Sequence, residues 1–349
     1  MIPVSVRDIG KRVESRIDEL LREETARWAE IDPLLAEPLE ALQELALAGG
    51  KRLRPAFCLA AFLGAGGAED DPAVVDAGAA LELLHLFALI HDDVMDASSR
   101  RRGQRTIHVD FAARHEAAEW RGEDRRFGEG VAILVGDLAF VYADQLLADA
   151  PRPAQDVFTE LRLEVNVGQY LDLRGAVSRD ASVDAARRIA LYKSGKYTVE
   201  RPLHLGAAIA GRLDDLRSPL SAYGVPLGEA FQLRDDVLGA FGDTMLTGKP
   251  IGEDIREGKP TRLRAWALEG ASADGARLLL DNYGSADISA DDLAAVQQLL
   301  VDCGALARAE AEIERLVVEA VGALDGVALA GDSRERLEEL AEFVAERVQ

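Results

Sequence analysis

Cysteine is scarce in this chain, which has only Cys58 and Cys303 among its 349 residues. Two thiols are too few for a disulfide framework or a cysteine-rich zinc site, so we expect both to be reduced, as in a cytoplasmic protein. Aromatic residues make up only 5% of the sequence, and the alternating Val, Ile, Thr and Tyr runs that predict strands are missing. Alanine and leucine at helical spacing take their place and predict an all-α fold.

A long uncharged run is missing as well. The longest one, residues 55–68, has 14 residues and includes three glycines, which is too short for a helix that crosses a bilayer. Residues 1–20 already carry charges of both signs, so they lack the apolar core of a signal peptide. We therefore expect a protein without a membrane span, located in the cytoplasm.

Positive charge is in short supply: 40 Lys and Arg face 62 Asp and Glu, which gives a formal net charge of −22. A nucleic-acid-binding protein needs a basic surface that displaces counterions, so this balance argues against nucleic acid as a partner. The same balance means that any anionic substrate must be bound by a local basic cluster. Hydrophobic residues account for 48%, enough for a full core, which excludes a wholly disordered chain.

Glycine and proline divide the helical pattern into segments of about 12 to 25 residues, a normal helix length for a large bundle. The predicted breaks are at residues 49–50, 64–72, 102–103, 150–153, 217–219, 242–260 and 270–275. No linker, composition shift or repeat divides the chain, so we predict a single all-α domain over residues 1–349. The polar, charged stretch 114–130 is interpreted as a surface insertion between two helices.

Three carboxylates, Asp92, Asp93 and Asp96, end an apolar helical segment. At about 100° per residue they share one face within about two turns, and His85 lies on the same stripe. Such a cluster repels itself and opposes the helix dipole, so a bound hard cation, Mg²⁺ or Ca²⁺, would relieve it. A solvated acidic helix end is the alternative. The basic run Arg100–Arg102 that follows favours a site where metal and arginine bind a diphosphate together, although a simple ion-pair patch stays open.

A second acidic pair, Asp235 and Asp236, lies far along the chain, shortly after Gln232. A carboxylate at position 239 would complete the spacing of the first cluster, but Gly239 stands there. Asp243, about 80° from Asp235 on a helical wheel, supplies the missing charge if the helix continues past position 242.

Two basic segments accompany the acidic clusters. The Gly- and Lys-rich loop 248–261 can bind phosphate through its lysines and act as a flexible lid, and a plain polar loop is the alternative. The segment 49–55, Gly-Gly-Lys-Arg-Leu-Arg-Pro, ends one helix and starts the next. Lys51, Arg52 and Arg54 reinforce the anion preference of that helix N-terminus, unless they form an ordinary basic corner.

Taken in order, the Gly-Gly-Lys-Arg-x-Arg-Pro segment, the Asp-Asp-x-x-Asp cluster with its Arg-Arg-Gly, and Phe-Gln-x-x-Asp-Asp resemble the trans-isoprenyl diphosphate synthases, or polyprenyl synthetases. The resemblance covers about residues 49–261, and the chain is similar to bacterial geranylgeranyl diphosphate synthases. It implies a single large helical bundle around a central apolar cavity, of the isoprenoid synthase type, and commonly a homodimer.

The resemblance also implies an activity. A prenyltransferase of this kind condenses isopentenyl diphosphate, head-to-tail (1′-4), with dimethylallyl, geranyl or farnesyl diphosphate. Mg²⁺ assists the ionisation of the allylic substrate, and about three ions per site are expected, each held by carboxylate and phosphate oxygens.

Roles for individual residues follow from the same resemblance. Metal binding is implied for Asp92, Asp93, Asp96, Asp172, Asp235 and Asp236, and Asp243 joins them on the spacing given above. Substrate contacts are implied for Lys51, Arg54, His85 and Arg102 (isopentenyl diphosphate), Arg101 (the allylic diphosphate), Lys193, Lys249 and Lys259 (the leaving diphosphate), and Ser194, Gln169, Phe231 and Gln232 (the cavity). The predicted catalytic residues are Asp92, Asp93, Asp96, Arg101, Lys193, Asp235, Asp236 and Lys249.

Two departures from the family pattern are visible: Gly239 replaces the last aspartate of the second motif, and the C-terminus has one arginine instead of a basic tail. Product length is implied by the positions four and five before the first aspartate, Ala88 and Phe87. One aromatic beside a small residue resembles geranylgeranyl producers, whereas two bulky residues imply farnesyl and two small ones imply longer products. The helical wheel turns Phe87 away from the site face, so other helices can also set the depth. Two roles stay open for His91: packing in the core or at the helix end, or a part in the chemistry.

Three other classes compete with this interpretation. A class I terpene cyclase also ionises an allylic diphosphate, but it needs no second diphosphate pocket such as the one implied by Lys51, Arg54 and Arg102. A head-to-head synthase of the squalene or phytoene type would show different paired aspartate motifs. A non-catalytic subunit that modulates a partner synthase usually loses an aspartate motif, whereas this chain keeps the first intact and most of the second.

Overall fold

Helices make up most of the computed structural model, which describes residues 3–101, 103–177, 182–242, 252–285 and 287–346. They are α1 (Val4–Ala29), α2 (Glu37–Leu47), α3 (Leu53–Gly64), α4 (Pro72–Met95), α5 (Ile107–Ala117), α6 (Asp124–Leu146), α7 (Arg152–Val177), α8 (Val183–Ala190), α9 (Arg201–Ile209), α10 (Leu213–Phe241), α11 (Glu253–Glu257), α12 (Arg262–Gly270), α13 (Ala273–Asn282), α14 (Ala290–Asp302), α15 (Ala305–Gly322) and α16 (Ser333–Glu346).

Three further elements complete this part of the chain. A 3₁₀ turn, Pro33–Ala36, precedes α2, and a π-helix, Leu191–Glu200, joins α8 to α9 without a break. The β structure among the described residues is one hairpin of two short strands, β1 (Arg100–Arg101) and β2 (Gln104–Arg105). The all-α prediction is therefore confirmed.

Helix α10 contradicts one of the predicted breaks. The sequence pattern predicts a break at residues 217–219, but α10 continues through Pro219 and Pro226. Each proline removes one backbone hydrogen bond from the helix. The inner face of α10, with Leu220 and Leu227 fully buried, is packed over its whole length. Burial of that face outweighs the lost hydrogen bonds, since helical stability in proteins comes mainly from packing.

The chain divides into two compact units. The N-terminal unit comprises Ile2–Asp156 and Leu205–Arg212, and the C-terminal unit comprises Val157–His204 and Leu213–Gln349. Each unit has its own buried core. A single domain over residues 1–349 stays a prediction.

In the N-terminal unit, α4 is the central helix and packs against α1, α3 and α6. Its start is fixed by Asp71, whose carboxylate accepts a hydrogen bond from the backbone N–H of Ala73. The end of α9 packs on α3 at Gly206, where a Cβ would lie 2.1 Å from the Cys58 carbonyl oxygen. Of the described helices, α4 is long and apolar enough to cross a membrane, and 61% of its most apolar window is buried.

In the C-terminal unit, α10 is the central helix and packs against the π-helix, α15 and α16. Tyr223 of α10 is completely buried, and its hydroxyl donates a hydrogen bond to the Leu337 carbonyl at 2.6 Å. A buried phenol normally needs such a partner, so this bond fixes α16 against the central helix.

The segment 114–130 forms the end of α5, a turn and the start of α6. The His115 ring is buried and packs against Trp120 and Phe127, with ring centroids 5.8 and 5.3 Å apart. At Gly128 the two helices touch, because a Cβ there would lie 2.1 Å from the His108 carbonyl oxygen. These contacts fasten the corner to both helices, and its origin as an insertion stays a prediction.

Candidate active site

The first acidic cluster lies at the C-terminal end of α4, in the N-terminal unit. Asp92 and Asp93 belong to the last turn of the helix, and Asp96 is its C-cap residue. Asp93 is buried, and its Oδ1 accepts hydrogen bonds from Nε and Nη2 of Arg101 at 2.9 and 2.5 Å. The same Nη2 lies 3.9 Å from Oδ2 of Asp92. Arg101 thus offsets negative charge at a helix end, where the dipole disfavours it.

The β1–β2 hairpin follows α4 and folds back on it, which places Arg101 against the C-terminal end of that helix. Gly103 turns the chain with a φ of +78°, a conformation that glycine adopts without steric cost. Thr106 closes the loop, since its hydroxyl donates a hydrogen bond to the Ser98 carbonyl at 2.8 Å. Burial raises the pKa of Asp93, and the Arg101 guanidinium opposes that rise. Carboxylate and guanidinium are therefore held side by side.

The basic corner between α2 and α3 holds Lys51, Arg52 and Arg54. Arg52 has a φ of +49° and points into the core, where its guanidinium lies 2.5 Å from Glu82 and 3.1 Å from Glu14. Burial lowers its pKa, but the two carboxylates outweigh that effect and raise the pKa of Arg52 overall. Arg52 is thus neutralised inside the protein, and the expectation that it reinforces an anion site is wrong. Lys51 and Arg54, which flank it, stay candidates.

Phe87 packs between two other rings where α4 meets α6. Its ring centroid is 4.6 Å from that of His91 and 4.8 Å from that of Phe140. The His91 Nε2 atom lies 3.1 Å from the Ile133 carbonyl oxygen. Gly136 leaves room for the imidazole, because a Cβ there would lie 2.3 Å from Nε2. Of the two roles open for His91, this geometry favours packing at the helix end.

Close glycine contacts in the C-terminal unit bring α7, the π-helix and α10 together. A Cβ on Gly168 of α7 would lie 2.3 Å from the backbone nitrogen of Lys193. A Cβ on Gly228 of α10 would lie 2.6 Å from the carbonyl oxygen of Gly195. Because the backbones approach so closely, the Lys193 ammonium reaches Asp172, with Nζ 2.6 Å from Oδ2. This ion pair joins two residues that the sequence analysis placed in the same site.

The second acidic cluster lies in the C-terminal part of α10. Asp236 is 4% exposed, and its Oδ1 accepts a hydrogen bond from the Gln232 amide at 2.8 Å. Burial raises the pKa of Asp236 to about 7. The Gln232 bond and the positive charge of Arg262 oppose the rise, and the negative charges of Asp254 and Asp235 add to it. The cluster therefore carries negative charge at an energetic cost that a bound cation would relieve.

Lys259 lies just after α11. Its Nζ is 3.2 Å from Oδ1 of Asp254 and 2.6 Å from Oε2 of Glu257, so two carboxylates hold it in place. The other lysine predicted in this loop, Lys249, lies outside the described residues, as do Asp243 and Arg102.

A buried polar network joins the π-helix and the start of α9 to α7. Arg201 donates two hydrogen bonds to Glu164, at 2.6 and 2.7 Å, and Lys196 binds the same carboxylate. His204 accepts a bond from Arg201 at Nδ1 (3.3 Å), and its Nε2 lies 3.1 Å from the Arg217 carbonyl oxygen. Burial lowers the pKa of His204 to about 4. The network fixes the π-helix against α7.

The donor atoms of both acidic clusters fit Mg²⁺. In proteins this ion is usually bound by one or two carboxylates, with water and substrate phosphates as the other ligands. In the part of the chain that the structure describes, no three His, Cys, Asp or Glu side chains converge closely enough to hold an ion alone. Each cluster instead offers two adjacent carboxylates, Asp92 with Asp93 and Asp235 with Asp236, and oxygen donors favour a hard cation.

Comparison with known proteins assigns this arrangement to a family. The family model described as polyprenyl synthetase matches residues 35–300. The chain belongs to the polyprenyl synthetase family. A geranylfarnesyl diphosphate synthase of Aeropyrum pernix is 33% identical over 312 residues, which cover 86% of this chain and 92% of the relative. A (2E,6E)-farnesyl diphosphate synthase of Mycobacterium bovis is 32% identical over 306 residues, covering 85% and 80%.

A solved polyprenyl synthetase structure agrees with the fold. The geranylgeranyl pyrophosphate synthase of Corynebacterium glutamicum, complexed with isoprenyl diphosphate and magnesium, superposes with a TM-score of 0.93 and 37% identity, covering 98% of this chain and 99% of that chain. The predicted family, its helical isoprenoid synthase fold and its enzyme class, trans-prenyltransferase, are confirmed. The three relatives are named for products of different length, so membership of the family does not fix the length.

The structure groups the predicted residues by unit, and their roles stay predictions. The N-terminal unit holds Lys51, Arg54, His85, Phe87, Ala88, Asp92, Asp93, Asp96 and Arg101; the C-terminal unit holds Gln169, Asp172, Lys193, Ser194, Phe231, Gln232, Asp235, Asp236 and Lys259. Asp254 and the Glu164 network were not predicted from the sequence. The signal for Asp254 was its position in the loop after the second acidic pair, which was interpreted for its lysines and its flexibility.

Proposed function

We propose that this polyprenyl synthetase condenses isopentenyl diphosphate with an allylic diphosphate, head-to-tail, in a Mg²⁺-dependent reaction. The observation that carries the proposal is the Asp93–Arg101 pair, with contacts of 2.5 and 2.9 Å. It offers a metal ligand and a phosphate ligand side by side at the end of α4. The Corynebacterium glutamicum relative, complexed with isoprenyl diphosphate and magnesium, supports the same chemistry.

Cleavage of the allylic carbon–oxygen bond puts negative charge on the leaving diphosphate. Bound Mg²⁺ acts as a Lewis acid that neutralises this charge. Arg101 and Lys193 add fixed positive charge, and Lys193 is oriented by its ion pair with Asp172. In this proposal Asp92, Asp93 and Asp96 of the first cluster and Asp235 and Asp236 of the second would hold Mg²⁺, three ions in all, with Asp172 and Asp243 as further ligands.

Isopentenyl diphosphate binds through Lys51, Arg54 and His85, together with Arg102. Its double bond attacks the allylic carbon, and the released diphosphate accepts the proton that is lost, so no side-chain base is required. Lys249 and Lys259 hold the leaving diphosphate. The cavity is lined by Ser194, Gln169, Phe231 and Gln232, and it must exclude water, which would quench the carbocation.

Product length is set, in our proposal, by the ring cluster at the α4–α6 contact. Phe87 is supported from behind by Phe140 and His91, with ring centroids within 4.8 Å. Ala88, beside it, is small. One braced aromatic next to a small residue favours a cavity that ends at twenty carbons, so geranylgeranyl diphosphate is the proposed product. Farnesyl or longer polyprenyl diphosphates are the alternatives.

A homodimer is the proposed assembly. In the N-terminal unit, α6 exposes Leu134 and Val141, about two turns apart. In the C-terminal unit, α7 exposes Leu163, Val167 and Tyr170 along one face. Exposed apolar rows of this kind mark protein–protein contacts.

Two free cysteines, one of them fully buried, support a reducing, cytoplasmic location.

The test is incubation of the purified protein and Mg²⁺ with labelled isopentenyl diphosphate and each allylic primer in turn, followed by sizing of the products. Elongation to geranylgeranyl diphosphate is expected, with loss of activity in a chelator. Arg101→Ala should abolish product, whereas the matched control Arg105→Ala, on the exposed strand β2 of the same hairpin, should keep it. If no primer is elongated, the proposal is wrong.

A further inference from the structure

Gly239 leaves a space beside the second acidic cluster, and another residue fills it. A Cβ at position 239 would lie 1.9 Å from Oδ2 and 2.3 Å from Cγ of Asp254, closer than two non-bonded atoms can approach. The carboxylate of Asp254 therefore occupies the volume that a side chain at position 239 would need. Gly239 follows Asp235 by one helical turn and so lies on the same side of α10.

The backbone around α11 positions Asp254 beside Gly239. Gly252, with a φ of +71°, starts the short helix, and Gly258, with a φ of +72°, ends it. Ile255 between them is fully buried, and its carbonyl accepts a hydrogen bond from the Gly284 N–H at 2.8 Å. The helix is thus anchored from two sides.

The two oxygens of Asp254 have separate environments. Oδ1 lies 3.2 Å from the Lys259 ammonium, and the Lys259 backbone N–H donates to the Asp254 carbonyl at 3.1 Å. Oδ2 is the atom that lies against Gly239. One oxygen is therefore fixed by a lysine of the diphosphate-binding loop, and the other is directed at the helix that carries Asp235 and Asp236.

We propose that Asp254 is the third carboxylate of the second acidic cluster and binds Mg²⁺ in place of a side chain at position 239. The inference rests on the proposed function and deepens it, because it assigns a metal ligand to a residue outside the Asp-Asp motif. It also gives the sequence departure at Gly239 a physical reason: a glycine is required where the carboxylate comes from α11. Asp243, which the sequence offered for this role, is then not needed.

A simpler role for Asp254 would be to position Lys259 alone. Moving the carboxylate distinguishes the two roles. The double variant Gly239→Asp with Asp254→Ala removes the partner of Lys259 but restores three carboxylates on the cluster. Rescue by this exchange is expected for a metal ligand and is not expected for a residue that acts only through Lys259.

The experiment measures melting temperature against Mg²⁺ concentration in the presence of inorganic pyrophosphate, a readout that needs no turnover. Five proteins are compared: the unchanged chain, Asp254→Ala, Asp254→Asn, the double variant, and Asp291→Ala as a control that removes one exposed carboxylate from α14. Asp254→Ala and Asp254→Asn should raise the half-saturating Mg²⁺ concentration about tenfold. The double variant should return it to within about threefold, and Asp291→Ala should leave it unchanged.

Two outcomes overturn the inference: equal Mg²⁺ dependence of Asp254→Asn and the unchanged chain, or a double variant no better than Asp254→Ala. Since Asp254→Asn keeps the shape of the side chain, a folding defect of the alanine variant does not obscure the result. Parallel assays with isopentenyl diphosphate and an allylic primer keep the two proposals apart. Product from the unchanged chain together with either outcome refutes only the role of Asp254, whereas no product from the unchanged chain refutes the proposed function.

Discussion

The two acidic clusters differ in what surrounds their carboxylates and offsets their negative charge. At the end of α4, Asp93 is bound by Arg101, which follows it by eight residues and returns through a tight hairpin. In α10, Asp236 is buried next to other carboxylates, and its pKa rises to about 7. The first cluster is hydrogen-bonded to its counter-charge, whereas at the second the positive charge of Arg262 does not offset the burial of Asp236. We therefore expect the second cluster to depend more on a bound cation for its stability.

The largest expected effect is on turnover. Asp92→Ala should lower kcat/KM by at least ~10³-fold, because the developing charge on the leaving group loses a metal ligand. Asp235→Ala should cost a comparable factor if the clusters contribute equally. Steady-state kinetics at saturating Mg²⁺ measures both, with circular dichroism to show that each variant folds. A loss below tenfold for either variant would restrict metal binding to the other cluster.

The next effect is a pH dependence that separates the two units. The folded pKa of His204 is about 4, below its ordinary value near 6.5, so the unfolded state takes up the proton first as pH falls. The stability of the C-terminal unit should therefore decline between about pH 6.5 and 4, by up to about 3 kcal/mol. Protonation at Nδ1 would place a cation against Arg201 and break their bond, while the nearby Glu200 carboxylate and Ser221 hydroxyl only partly compensate.

Hydrogen exchange across this pH range measures the difference. Amides of residues 201–204 and of α10, in the C-terminal unit, should lose protection before those of α3 and α4. His204→Gln should flatten the pH dependence, because a glutamine does not titrate. Equal loss of protection in both units would contradict the assignment of this step to His204.

A smaller effect contrasts the clusters in the absence of metal. Asp93→Asn removes the charged acceptor of both Arg101 hydrogen bonds and should lower the free energy of unfolding by about 2 kcal/mol. Asp236→Asn removes a buried charge but keeps a polar group for Gln232, and should raise that energy by about 1 kcal/mol. Urea unfolding in a chelating buffer gives both values. A shift of the free energy of unfolding in the same direction for both substitutions would contradict the contrast between the environments of Asp93 and Asp236.

The smallest effect is a change in product length, which we expect from substitutions in the N-terminal unit and not from those in the C-terminal unit. Phe87→Ala should lengthen the main product, and Phe140→Ala should shift the ratio of longer to twenty-carbon product by a factor of about two to three, because it removes only the support behind Phe87. Chromatographic sizing of labelled products measures the ratio. Ser221→Ala in the C-terminal unit is the control, and a length change there would place the cavity floor elsewhere.

Features set by neighbouring residues were predictable from the sequence. The Asp-Asp-x-x-Asp cluster, the arginine run after it and the helical spacing are all local, and they predicted that carboxylates and arginine lie close together at the end of α4. Arg52 was misjudged because its partners, Glu14 and Glu82, are 38 and 30 residues away. The continuation of α10 through Pro219 was missed for a related reason, since packing of the helix outweighs the local preference of proline.

The relation between Gly239 and Asp254 shows the same limit. The absence of a third aspartate was visible in the sequence, but the residue that fills its place was not. Asp254 reaches α10 only through the fold of α11 and its anchoring at Gly284. Helical spacing pointed to Asp243 instead, since it considers only residues of one helix.

The π-helix between α8 and α9 makes the length of residues 191–200 matter as much as their identity. Its hydrogen bonds run from residue i to i+5, so its turns are wider than those of the flanking α-helices. Deleting one residue between positions 194 and 200 would rotate everything that follows relative to α8 by the angle of one residue, which is about 100° in an α-helix and smaller in the wider π-helix. Arg201 would then leave Glu164, while Lys193 would keep its place beside Asp172. A one-residue deletion or insertion here should consequently be as harmful as loss of a buried ion pair, even though the sequence before and after it is intact.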